Sequence, residues 1–167
     1  MNKCLALITL LFLIAGCGSS ATTSKATLDV DAVAQAIAEG IEVTFTGNEC
    51  TVSGPVTLPE GEYLFVFKDL EGKKSADLWL GRLTDGNTYQ DFLDLQGGEP
   101  GKYIPKPDYI DDEITKVDVD WDISTGEKRI TYSLEEGEYA IYVFNVIEAA
   151  WGQWICAPLR VVEAPSE

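Results

Sequence analysis

The chain contains no histidine, and its only methionine is Met1. Without imidazole there is no Ser-His-Asp or Cys-His catalytic arrangement and no histidine-ligated zinc site. A blue-copper centre, built from two His, one Cys and usually a Met, is excluded as well. Basic residues are scarce: 12 Lys and Arg stand against 28 Asp and Glu, a net charge of −16. Such a surface repels nucleic acid and anionic lipid. The acids are spread along the chain and form no tail, so they read as a solvated coat. The N-terminal apolar run, Leu5 to Ala15 broken by Thr9, is too short to span a bilayer, which takes about 20 residues.

What is present at the N-terminus is more specific. Met1-Asn2-Lys3 precedes the apolar run, and Leu13-Ile14-Ala15-Gly16-Cys17 ends it. A basic start, an apolar middle and small residues before a cut are the parts of a secretory signal. The L-I-A-G-C string resembles the lipobox of bacterial lipoproteins. The resemblance implies cleavage after Gly16, acylation of Cys17 and an extracytoplasmic address on a membrane. Gly18 lacks the Asp associated with inner-membrane retention, which implies the outer membrane if the cell has one. Each buried methylene contributes about 0.8 kcal/mol, so two or three acyl chains hold firmly. Cleavage leaves 151 residues, one domain's worth.

Processing also simplifies the cysteines. Cys4 leaves with the signal and Cys17 carries lipid, so Cys50 and Cys156 remain. In an oxidising compartment they are expected to pair, closing a loop of about 100 residues. The alternative is two buried free thiols.

The organisation expected is a signal peptide over 1–16, a lipidated N-terminus, tether and possible short helix over 17–40, and a β domain over 41–167. Asp29 to Glu39 has helical periodicity, with Val30, Val33, Ala34 and Ile37 on one face. It either packs on the domain or belongs to the stalk. Strands are expected at Ile41–Phe45, Tyr63–Phe67, Leu78–Leu83, Ile114–Ile123, Ile130–Leu134, Tyr139–Val146 and Ile155–Val162. In the fourth, Val117, Val119, Trp121 and Ile123 share one face, and Asp118, Asp120 and Asp122 the other. Thr88 to Leu95 reads as a short helix stopping at Gly97-Gly98, and Glu99 to Pro107 as irregular chain. Seven or eight short strands at this spacing read as an all-β Greek-key sandwich with one short helix and a long irregular excursion. Leu58-Pro59-Glu60-Gly61-Glu62-Tyr63 is echoed by Leu134-Glu135-Glu136-Gly137-Glu138-Tyr139, which we read as equivalent corners of that sandwich.

The second corner, L-E-E-G-E-Y-A-I-Y-V-F, followed by a loop and C-A-P-L-R-V-V-E, resembles the last two strands of the cupredoxin fold. The resemblance runs from Ile41 to Glu163 and implies a cupredoxin-like, immunoglobulin-like sandwich. It stops at the copper ligands. Phe144 or Asn145 stands where that family places its cysteine. The ligand loop reads Val146-Ile147-Glu148-Ala149-Ala150-Trp151-Gly152-Gln153-Trp154. The fold carries over and the cofactor does not.

Three constellations remain. Asp118, Asp120 and Asp122, with Asp111, Asp112 and Glu113 as a second segment, form a calcium candidate. They lack the Gly and Glu that an EF-hand loop needs at positions six and twelve. Trp151 and Trp154 in the expected loop, joined by Tyr103 and Tyr109, form a candidate face for stacking on a sugar, or else cap the core. Paired carboxylates are abundant, but none is singled out for hydrolase chemistry. The expectation is a non-catalytic binding or structural module with no cofactor. Its partners would be the bilayer through Cys17 and an envelope protein, glycan or small solute. A calcium-stabilised domain and a small hydrolase are the alternatives.

Overall fold

The computed structural model describes residues 28–71, 76–122, 124–147 and 150–164. Twelve elements follow in order: α1 (Val30–Glu39), β1 (Ile41–Phe45), β2 (Cys50–Ser53), β3 (Thr57–Pro59), β4 (Gly61–Asp69), β5 (Ala76–Leu83), α2 (Tyr89–Gln96), β6 (Ile110–Asp111), β7 (Lys116–Asp122), β8 (Glu127–Leu134), β9 (Gly137–Ile147) and β10 (Ala150–Val162). They build the expected all-β Greek-key sandwich from two five-stranded sheets, β2-β1-β4-β8-β7 and β3-β10-β9-β5-β6.

The sheets face each other through alternate residues. Ile41, Val43 and Phe45 of β1, Phe65 and Phe67 of β4, Ile130 and Tyr132 of β8, and Ile141 and Val143 of β9 are buried together. Period two explains the pattern: the residues between them point the other way. Along β1 burial alternates strictly. Burial pushes the Tyr132 hydroxyl pKa up, and that hydroxyl donates to the Leu78 carbonyl at 3.4 Å.

Three strands are additional to the sequence expectation. β2 and β3 are one passage of chain bent at Gly54-Pro55. Its first half pairs antiparallel with β1 and its second half parallel with β10. The chain thus leaves one sheet for the other, where a proline's missing donor is tolerated. The third, β6, is two residues long.

The two echoed corners match in detail. The Tyr63 hydroxyl donates to the Pro59 carbonyl at 2.9 Å, and the Tyr139 hydroxyl to the Glu135 carbonyl at 2.8 Å. The Glu136 N–H donates to the Glu60 carboxylate at 2.8 Å, so the corners lie side by side. They start strands of opposite sheets and pin one end of the sandwich.

The excursion covers the outer face of the second sheet. Phe92 of α2, Ile104 and Ile110 bury against Leu83, Ala140 and Tyr142. Gly81 makes the room, since a Cβ there would come within 2.6 Å of Ile110. α2 begins in a capping box: the Asp91 N–H donates to the Thr88 hydroxyl, and the Thr88 N–H to the Asp91 carboxylate at 2.7 Å. Thr88→Ala is expected to cost about 1 kcal/mol in urea unfolding. The same hydrogen bonds from Thr88 lower the Asp91 pKa. A depressed carboxylate stabilises above its unfolded value and loses that contribution as pH falls through its folded value. Asp91→Asn is therefore expected to flatten the acid limb of the melting curve, measured by midpoint against pH. An unchanged limb would remove Asp91 from the account.

α1 packs on the sandwich and is no free stalk. Its N-cap, Asp29, accepts from the Ala32 N–H at 3.1 Å. Val33 and Ala36 enter the core, but Val30 is 70% and Ile37 64% exposed. The four apolar residues read as one helical face are thus divided, with Val33 inside and Val30, Ala34 and Ile37 outside.

Candidate functional site

The cysteine pair is formed. Cys50 on β2 and Cys156 on β10 are bonded, with Cα atoms 5.1 Å apart and a sequence separation of 106. The bridge ties the first sheet to the second. Cys17, the lipidation candidate, lies outside the described residues.

The expected aromatic ligand face does not assemble. The stretch expected as a loop over 146–154 is mostly strand: Trp151 pairs with Val146 and Trp154 with Val143 in the β9–β10 ladder. Strand geometry sends neighbouring residues to opposite faces. Trp154 turns inward, is 5% exposed, and meets Phe45 edge-on at 4.8 Å. It is core. Tyr109 packs on the opposite face of that sheet with the Phe92 cluster, and Tyr103 stands exposed. The Trp151 side chain lies outside the described residues.

The calcium constellation does not assemble either. Asp111 sits on β6 and Asp120 and Asp122 on β7, at the edges of different sheets. The carboxylates of Asp122, Asp111 and Asp112 are engaged locally. Asp122 accepts from the Ser124 N–H at 2.9 Å and its hydroxyl at 2.6 Å, which holds its pKa low. Asp111 accepts from the Glu113 N–H at 3.0 Å, and Asp112 pairs with Lys106 at 2.7 Å. Among the described residues no three His, Cys, Asp or Glu side chains gather as a metal site. The Asp118 side chain lies outside the described residues.

What the sequence reading missed is the other face of β7. Its alternation was expected to turn Val117, Val119 and Trp121 into the core. Register aims Val119 and Trp121 that way, opposite the fully buried Ile130 and opposite Lys128 respectively, while Val117 sits at the ladder's irregularity between Lys116 and Asp118. Yet Val117 is 50%, Val119 48% and Trp121 44% exposed. The cause is unequal sheet edges. β7, of seven residues, ends one sheet, while β6, of two, ends the other. β7 therefore overhangs. Two lysines bridge the step. Lys128 pairs with Asp77 of β5 at 2.5 Å and lies 5.7 Å from the Trp121 ring centre. Lys116 lies 5.3 Å from the Trp79 ring centre. The result is an apolar strip with Trp121 at one end, acids on its reverse, and charged groups along its inner margin. The signal was in the sequence as the alternation of 117–122, but its exposure depended on the length of β6.

A cleft of about 760 Å³ opens beside the disulfide between β2, α2 and β10, lined by Cys50, Gln90, Leu93, Asp94 and Ile155 among others. Asp94 is engaged by Gln90 at 2.7 Å, and Cys50 is oxidised. No Lys or Arg lines the cleft. Its other polar side chains include the Glu49 carboxylate and the Thr51 hydroxyl.

No protein-family model, curated protein or solved structure matches this chain.

Proposed function

We propose that this chain is a lipid-anchored, extracytoplasmic, non-catalytic binding module on a cupredoxin-like sandwich without copper. It engages an envelope protein through the overhanging face of β7. The observation that carries the binding role is the exposure of Val117, Val119 and Trp121 on a side of the sheet built for burial. A contiguous apolar strip rimmed by charge marks an interaction surface.

The address has separate support. The Cys50–Cys156 bridge belongs to an oxidising compartment, and Leu13–Cys17 supplies the lipobox. The non-catalytic reading is supported by the lack of histidine, which removes the Ser-His-Asp and Cys-His arrangements.

Two measurements test the reading. Intact mass of the membrane fraction is expected to show acyl chains on Cys17; an unmodified N-terminus would remove the anchor. A photo-crosslinking residue at position 117 or 121 in living cells is expected to give a discrete adduct with one envelope protein. The same residue at exposed Asp85 is expected to give none. Identical patterns at 121 and 85 would remove the binding face.

A further inference from the structure

α1 has three sectors. At 100° per residue, Ala32, Val33 and Ala36 face the sandwich, and Asp31, Gln35 and Glu39 form a polar side. Val30, Ala34, Ile37 and Ala38 fill the arc between them, about 100° wide, and all four are exposed. The polar side is closed on itself, with Gln35 donating to Glu39 at 2.9 Å. The exposed apolar arc has Val30 and Ile37, two large residues one heptad apart, at 70% and 64% exposure.

We infer that this arc lies against the bilayer that holds Cys17, so that α1 seats the domain on the membrane surface. The inference rests on the proposed lipid anchor. Eleven residues separate Cys17 from Asp29. A stretch of that length spans at most about 40 Å. Among the described residues α1 is the first element after Cys17, and the tether holds its arc near the interface at high effective concentration. A second copy of the chain is a poor occupant. Four small and medium side chains fall well short of the roughly 800 Å² per partner of a stable interface.

The charges set the kind of lipid. From residue 18 to residue 40 the only basic side chain is Lys25, against Asp29, Asp31 and Glu39. Docking is apolar, suited to a zwitterionic surface and opposed by an anionic one.

The test uses full-length acylated protein in phosphatidylcholine vesicles, with a nitroxide-bearing residue at position 34, 35 or 37. Labels at 34 and 37 are expected to be several-fold more accessible to oxygen than to a water-soluble nickel chelate, relative to the label at 35. Added phosphatidylglycerol is expected to shrink that difference. Val30→Gln with Ile37→Gln is expected to abolish the difference between labels at 34 and 35 at an unchanged melting temperature. Acylated protein whose three labels are equally water-exposed would overturn the seating and leave the anchor standing. Protein without acyl chains on Cys17 would overturn both.

Discussion

Replacing Cys50 and Cys156 together with alanine is expected to lower stability by about 4–5 kcal/mol. For a domain of this size that is a fall in melting temperature of about 10–15 °C. The bridge closes a loop across a sequence separation of 106, and a long loop restricts the unfolded chain most. The native state already holds the two residues near each other. Cys50 stands opposite Phe45 in the β1–β2 ladder, and Cys156 sits at the irregularity between Ile155 and Ala157 in the β9–β10 ladder. Removing the bridge should therefore leave the folded sheets in register and act on the unfolded ensemble. Urea unfolding of the oxidised protein and the double variant checks this, with equal near-ultraviolet spectra as the control on the native state. A loss below about 1 kcal/mol would mean that the unfolded chain is restrained by something other than the bond.

Trp154→Ala is expected to cost about 3–5 kcal/mol, the range for a large aromatic removed from a core. The ring fills a slot shaped by absences. A Cβ on Gly152 would come within 2.6 Å of it, and one on Gly101 within 2.9 Å. Phe45 meets its face edge-on. The neighbouring Gln153 carbonyl receives both the Gly101 N–H at 2.9 Å and the Gln96 amide at 2.7 Å. The end of the excursion is thus fastened to the strand that carries the ring. Loss of the indole opens a void beneath that fastening. Denaturation with protease sensitivity around Gly97–Gly101 as a second readout checks the claim. A cost under about 1 kcal/mol would show that the slot collapses without penalty. Combined with the cysteine changes the cost should be less than additive, because Phe45 neighbours both Trp154 and Cys50.

The strands of the sandwich were legible because most have one covered face and so alternate. The tyrosine corners were legible because a six-residue pattern repeats, and the cysteine pairing because the lipoprotein processing expected from the sequence would leave two cysteines. The failures have one physical origin: what a residue meets depends on the neighbouring element. The stretch 146–154 looked like a loop in part because consecutive residues at its end, Gly152, Gln153 and Trp154, are all buried. Gln153 is buried and Gly152 must be small, so no alternation appears. β7 alternates well, yet its apolar side stays half exposed, and the edge strand of the other sheet, β6, has only two residues. In α1 the apolar arc is wider than the surface available to it, so Val33 is taken and Val30 is not. The candidate aromatic and acidic sites failed for the same reason. The second sheet separates Trp154 on its inner face from Tyr109 of the excursion on its outer face, and sheet membership separates Asp111 from Asp120.

The cross-link also governs how the molecule carries tension. Cys50 and Cys156 make residues 51–155 a covalently closed bight, so a pull between the two chain ends bypasses everything inside it. Only α1, β1 and the last half of β10 can be drawn out. Pulled from its N-terminal end, as the proposed anchor would pull it, the domain can then yield a short length of slack and recoil, with residues 51–155 shielded behind the bond.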